Sequence, residues 1–384
     1  MTDDPLRVAL DATPLIGQRT GVGEFCRGAL GGLAARDDVS VSAFAVSWRR
    51  RRWGRGSLPA GVSWSDRPMP ARPLHWSWGH SALPPAEWFV GDQAVVHGTN
   101  FVVPPTRRAG RVVTVHDLTA VHYPEMCSPA TLHYPDLIRR ALGTGAFVHT
   151  PSRFVADEVI EVFGADPDRV RAVHSGVPLR PPAASGTTAG VALPPGTDRF
   201  ILSMATAEPR KDLPGLVAAF DQVAADRPDV ALVLAGPAGW GADALAQAVT
   251  AARHRARIVL PGWIDDAEVD ALIGSASLLA YPSRYEGFGL PPLEAMARGV
   301  PVVATSAGAI AEVLGDGASL VAVGDVGALV GALAEILDSE VSAARWADAG
   351  RRRAAQFSWD ACAEGLVGLY RLAAGTASPN GVAR

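Results

Sequence analysis

Short apolar runs, each closed by a glycine- or proline-marked turn and followed by a helix-like stretch, recur from one end of this chain to the other. LRVALDA at 6–12 leads through PLIGQRTGVG into FCRGALGGLAA, an order of strand, turn and helix that opens an α/β unit. Further runs lie at Val39–Val46, Ala94–His97, Arg111–Val115, Ala146–His149 and Val170–Val173. None alternates strictly between apolar and polar, which suits strands covered on both faces of a parallel sheet. The pattern stops at 179–197, LRPPAASGTTAGVALPPGT, which has little to build a core and reads as a connection between domains. It restarts at RFILSMATAEPRKD. Strands are expected at Phe200–Met204, Val230–Ala235, Arg257–Leu260, Ser277–Tyr281, Pro301–Ala304 and Leu320–Val323, with helices such as Leu213–Val223 between them. A last helix is expected over Ala361–Ala373, ahead of a fraying tail.

The expected fold class is therefore α/β with two doubly wound lobes. Boundaries are set at 1–182 and 198–355, with a linker at 183–197 and a helix and tail at 356–384 packing back toward the N-terminal domain. A length of 384 residues suits two cores better than one. Composition adds exclusions: 48% hydrophobic and 19% charged residues rule out a disordered chain, and a formal charge of -4 gives no general field for nucleic acid. Cys26, Cys127 and Cys362 are odd in number and widely spaced, so neither a disulfide framework nor a metal-ligand pattern is read from them. The acidic start lacks the physics of a signal peptide, and no apolar run reaches the ~20 residues of a membrane span. A cytoplasmic protein is expected.

Two strings carry chemistry. In SRYEGFGLPPLEAMARGVPVVAT, residues 283–305, Glu286 follows a strand, Gly287 and Gly289 flank Phe288, and Leu290 with two prolines opens a helix that carries Glu294. Glycines let backbone N–H groups approach an anion, and a helix start favours one. In MATAEPRKDLPGLVAAF, Arg210 and Lys211 sit between a strand and a helix, where two cations can meet a departing phosphate.

The EGFGLPPLE string, with seven residues between its glutamates and AxxxGVPVVAT after it, resembles the retaining glycosyltransferase family 4, the group 1 glycosyltransferases. The resemblance runs from GVG near residue 21 to the last helix. It implies a GT-B fold, two facing Rossmann-like domains with an active-site cleft between them. It also implies that Glu286 accepts hydrogen bonds from donor-sugar hydroxyls and Glu294 from the ribose, while Arg210 and Lys211 stabilise the leaving diphosphate. Gly287, Phe288, Gly289 and Leu290 complete the donor loop. GTLEPRKN is common where this chain has MATAEPRKD, so Met204, Ala205 and Asp212 depart from the pattern.

In the N-terminal half, Gly21 and Gly23 of GQRTGVGEF resemble the family's glycine loop between its first strand and helix, close to donor phosphate or acceptor. His116 resembles the family's active-centre histidine and would contact the transferred sugar, with Asp117 orienting it or shaping the acceptor site. His97 and Asn100 follow another strand and are candidates for the acceptor mouth. SRF at 152–154 and HSGVP at 174–178 resemble recurrent family segments, with Pro178 in place of a common acidic residue. SWRRRRWGRG at 47–56 sets five arginines beside Trp48 and Trp53, which suits a solvated loop or docking of Trp48–Arg55 on anionic lipid or saccharide.

No fixed metal and no cofactor are expected, the nucleotide sugar being a substrate. The expected reaction is retaining transfer of mannose from GDP-mannose to a saccharide, lipid-linked glycan or glycolipid. UDP-glucose or another nucleotide sugar is the alternative donor. A nucleotide-sugar epimerase and a noncatalytic glycan-binding protein are the competing classes.

Overall fold

The computed structural model describes residues 4–17, 20–49, 58–178 and 190–376. The basic stretch from Arg50 to Arg55, residues 183–189 of the linker and the tail beyond Thr376 lie outside them. By its internal contacts the chain divides into two units. The first takes the chain up to Val121, Thr131–Gly176 and everything from Phe357 onward; the second takes His122–Ala130 and Val177–Gln356. The division differs from the expected one: residues 122–130 belong to the C-terminal unit, and the later breaks fall after Gly176 and Gln356 instead of after 182 and 355. No local pattern marks residues 122–130, because their partners are far away in sequence.

The N-terminal unit contains β1 (Leu6–Asp11), α1 (Gly21–Ala34), β2 (Val39–Phe44), β3 (Ser63–Trp64), α2 (Ala71–His80), α3 (Glu87–Val90), β4 (Val95–Gly98) and β5 (Gly110–Thr114). After α4 (Thr119–His122) come α5 (Tyr134–Gly143), β6 (Phe147–Thr150), α6 (Arg153–Phe163) and β7 (Val170–Ala172). All strand pairs are parallel, in the order β3-β2-β1-β4-β5-β6-β7. The order reverses between β1 and β4. Sheets of this kind bind ligands beyond the carboxyl ends of strands at such a reversal.

The C-terminal unit runs β8 (Arg199–Met204), α7 (Leu213–Val223), β9 (Val230–Ala235), α8 (Ala242–Ala251), β10 (Ile258–Gly262), α9 (Asp266–Ser275) and β11 (Leu278–Tyr281). It continues through α10 (Leu290–Ala297), β12 (Val302–Thr305), α11 (Ile310–Leu314), β13 (Ser319–Val321), α12 (Val326–Asp338) and α13 (Glu340–Ala354). Its sheet is parallel, in the order β10-β9-β8-β11-β12-β13, with the reversal between β8 and β11. Every residue of β9, VALVLA, is buried, so helices on both faces explain its unbroken apolar run.

The last helix, α14 (Trp359–Gly375), completes the N-terminal unit. Ser358 caps its start by accepting a hydrogen bond from Ala361 N at 3.1 Å. Cys362, Leu366, Val367, Tyr370 and Ala373 enter one core with Phe25, Ala29, Leu30 and Leu33 of α1. Gly32 permits this approach, because a Cβ there would lie 2.6 Å from the Trp359 carbonyl oxygen.

Candidate active site

Two loops meet beyond β8 and β11, the strands that flank the reversal of the second sheet. After β8, a single 3-10 turn, Pro209–Lys211, carries both cations, and Asp212 then starts α7. Asp212 has φ 48°, the left-handed region that costs a side-chain-bearing residue least when it is Asn or Asp. After β11 the chain turns through Ser283 and Arg284 to Glu286. Arg284 N donates to Arg210 O at 2.7 Å, and the Arg284 guanidinium pairs with Asp212 at 3.2 Å, so the loops are tied by backbone and by charge.

Their side chains form one cluster, buried at Lys211, Glu286 and Tyr281 and half-buried at Arg210 and Glu208. Lys211 Nζ donates to Glu286 Oε1 at 2.5 Å and to the Tyr281 hydroxyl at 2.8 Å, and stands 4.9 Å from the centre of the Tyr281 ring. Arg210 Nη1 donates to Glu286 Oε2 at 3.0 Å and to Tyr285 O at 3.4 Å, while its Nε donates to Glu208 at 2.9 Å. Burial raises the cost of charge on Glu286, but Lys211 and then Arg210 outweigh it and hold the carboxyl at about 2. Burial, then Arg210, draws the Lys211 ammonium below its ordinary value, and Glu286 pulls it back. The direction that geometry supports is an ionised pair, since both partners are hydrogen-bonded. The two cations are thus already matched by two carboxylates. One Lys211 proton remains beyond these bonds, and Ser283 and Tyr281 also stand within hydrogen-bonding reach of Glu286.

Glu286 is also held from behind. Ala309 N donates to Glu286 O at 2.9 Å, and Gly308 has φ 57° at a point where a Cβ would collide with that same oxygen. Gly289, at φ 102°, turns the chain into α10, whose first turn holds Leu290 and two prolines. Gly287 and Phe288 are buried, and Glu294 lies half-buried in the second turn of α10.

In the N-terminal unit the expected glycine loop is instead the first turn of α1: Gly21 and Gly23 are helical, and Thr20 caps the helix by accepting from Gly23 N at 3.3 Å. Thr20 at the N-cap position explains this, since its side chain takes one of the orphan donors of a helix start. Asp117 Oδ1 accepts from Thr119 N at 3.0 Å and so shapes the entry to α4. His116 Nε2–H donates to Thr99 O at 2.7 Å, which assigns the lone pair to Nδ1; burial lowers its basicity against that carbonyl, so the ring is a neutral acceptor. Phe25 and Phe101 contact the His116 ring edgewise at 5.7 and 6.0 Å. Phe101 has φ 59°, an outlier for an aromatic residue, next to the half-buried Asn100.

His97 does not belong to a mouth. It is 0% exposed and both its ring nitrogens are occupied. One acceptor fixes the whole chain of bonds: His149 Nε2–H donates to Val173 O at 3.0 Å, so His149 Nδ1 accepts from Thr114 at 2.9 Å. Thr114 in turn accepts from His97 Nε2–H, and His97 Nδ1 accepts from Tyr370, each at 2.7 Å. Burial drives both rings to the neutral form, His149 to about 3 and His97 well below its usual value. The residue's place at a strand end was readable; the direction of its side chain was not, since all four residues of β4 are buried.

Comparison with known proteins decides the family. The model of the family described as glycosyl transferases group 1 matches residues 189–353. The chain is 30% identical over 289 residues to an O-antigen chain mannosyltransferase B of Escherichia coli, covering 72% of this chain and 74% of that one. The chain belongs to the group 1 glycosyltransferases. A D-inositol 3-phosphate glycosyltransferase of Segniliparus rotundus is 30% identical over 78% of this chain and 68% of its own. An MMP alpha-(1->4)-mannosyltransferase of Mycolicibacterium hassiacum is 47% identical over 29% of this chain and 28% of its own. Among solved structures, sucrose-phosphate synthase from Thermosynechococcus elongatus superposes with TM-score 0.70 at 19% identity, covering 96% of this chain and 98% of that one. WaaG, a glycosyltransferase involved in lipopolysaccharide biosynthesis, gives 0.70 at 17%, covering 97% and 100%. The fold class of this glycosyltransferase is accordingly GT-B.

Two members of the glycosyltransferase's cluster escaped the sequence reading. Glu208 lies two residues before Arg210 in the string already singled out, and its charge was the available signal. Tyr281 ends β11 as an aromatic among apolar neighbours, and nothing local announces that its hydroxyl meets Lys211. The departure at Asp212 has a physical reading: the position needs the left-handed region, which Asn and Asp both tolerate.

Proposed function

We propose that this glycosyltransferase transfers mannose from GDP-mannose, with retention at the anomeric carbon and without a metal ion, to a saccharide or lipid-linked glycan. The observation that carries the reading is the cluster of Arg210, Lys211 and Glu286 at the strand-order reversal of the second sheet. As the sugar–phosphate bond breaks, negative charge grows on the diphosphate; Arg210, Lys211 and the amides around Gly287–Gly289 answer it. Glu286 receives hydroxyl hydrogen bonds from the sugar and Glu294 from the ribose, and the departing phosphate takes the acceptor proton. No enzyme nucleophile is needed. The names of two relatives support mannose.

The N-terminal unit takes the acceptor, with His116 Nδ1 receiving a hydroxyl proton bond. No described helix is long and apolar enough to cross a membrane. A lipid-linked acceptor would be met at a cytoplasmic membrane face, where exposed Trp48 and the arginines after it can dock.

Incubation with a panel of nucleotide sugars and acceptor glycans, read by mass spectrometry and by NMR of the new anomeric centre, tests this. The expected product is an acceptor one hexose heavier with the donor's configuration, formed fastest with GDP-mannose. A donor altered with no gain of mass on any acceptor would mean an epimerase. Binding without turnover would mean a noncatalytic glycan-binding protein.

A further inference from the structure

Residues 122–130 do something that a strand-to-helix connection in a doubly wound sheet does not require. Val121 and Thr131 belong to the N-terminal unit, yet the segment between them takes its contacts from the C-terminal one. Contacts within the C-terminal unit fasten it. Trp240, between β9 and α8, donates its indole N–H to Met126 O at 2.8 Å. The rings of His122 and Tyr123 lie 5.9 and 5.5 Å from the Tyr285 ring, tilted by 52° and 54°. Met126 also lines, with Glu208, Pro209, Asp212 and Arg284, a cavity of about 270 Å³ beside the cation turn.

Tyr285 is the residue before Glu286. Its ring is buried, its carbonyl accepts from Arg210, and the preceding amide donates to Arg210 O. Glu286 is followed by Gly287 and then Gly289, so the chain on that side supplies little stiffness of its own. The loop is therefore held by its contacts, among them Arg210 at Arg284, Tyr285 and Glu286, Gly308 and Ala309 behind Glu286, and the two rings at Tyr285.

We propose that His122 and Tyr123 are positioning residues: by clasping Tyr285 they fix the direction in which Glu286 presents its carboxylate to Arg210, Lys211 and the donor. The inference rests on the transfer reading above and deepens it, since a segment that follows closely on His116 and Asp117 in the chain then sets the geometry of the donor-side carboxylate. A ring contact, not a hydroxyl, does the holding.

The test uses the full chain and the variants Tyr123→Ala, Tyr123→Phe and Trp240→Phe. Two readouts are taken: kcat and KM for the best donor, and hydrogen exchange of the amides in 283–290. Tyr123→Ala is expected to lose between about ten- and a hundredfold in kcat, the scale of a small misplacement of reacting groups, with a smaller change in donor KM and faster exchange in 283–290. Tyr123→Phe keeps wild-type values. Trp240→Phe, which removes one hydrogen bond and keeps a ring, moves in the same direction by less, and it serves if Tyr123→Ala does not fold. Unchanged exchange in 283–290 for Tyr123→Ala, or a Phe variant as damaged as the Ala variant, overturns the proposal. If wild type transfers no sugar to any acceptor, the transfer reading falls, while the exchange data still decide whether the clasp holds the loop.

Discussion

Glu286 is 5% exposed, and a carboxylate so placed stays ionised only because Lys211 and Arg210 stand against it. Its pKa in the fold, about 2, lies below the ordinary 4.5. Its pairing therefore stabilises the protein at every pH above about 4.5, and that contribution drains away as pH falls through 2. Glu286→Gln keeps the shape and removes the charge, leaving Lys211 buried with no carboxylate. Urea unfolding of this variant should show a loss on the order of 3 kcal/mol at pH 7 that shrinks toward pH 2. Asp11 behaves in the opposite sense. Burial pushes it from 3.8 to about 6, against hydrogen bonds from Thr13, so it stabilises the fold below about 4 and that stability is lost as pH rises through 6. Asp11→Asn can still accept both Thr13 bonds; its unfolding midpoint should hold through pH 4 to 6, where the wild type's declines relative to it.

At the scale of elements, the buried chain Tyr370–His97–Thr114–His149 joins α14 to β4, β5 and β6. Its direction is set by the Val173 carbonyl, and every link is neutral. Tyr370→Phe deletes the donor to His97 Nδ1 and leaves a buried acceptor without its partner, which should cost about 1–3 kcal/mol in chemical unfolding. The elements that were legible in sequence are those with a strong local cause: α7 covers Leu213–Val223, and the six strands of the second sheet fall within a few residues of their apolar runs. β3 was not legible, because Ser63–Trp64 is too short to carry a period. Nor was α2, which contains Pro73 and Gly79 and is anchored by only Leu74 and Trp78, four residues apart. The glycines of α1 looked like a loop because GVG is a turn signal unless a cap precedes it, and Thr20 does.

For the whole molecule, the site was legible where its chemistry is local and opaque where it is not. The strings around Arg210 and Glu286 lie inside the segment that matches the family, residues 189–353, and they fold into one cluster. His97 was misplaced, and Tyr281 and the segment 122–130 passed unnoticed, because burial and distant contacts decide their roles. The N-terminal unit likewise depends on a distant piece of chain, since α14 supplies Leu366, Val367 and Tyr370 to its core. A chain ending before Phe357 should therefore lose the unfolding transition of the N-terminal unit in calorimetry and keep that of the C-terminal unit, whose core contains none of those residues. The central claim is that Arg210 and Lys211, held in place by Glu286, grip the diphosphate end of a nucleotide sugar. Calorimetric titration of GDP and of UDP into wild type and Lys211→Ala tests it most directly: one of them should bind wild type and lose at least about tenfold in affinity in the variant. Equal affinity for both proteins would contradict it.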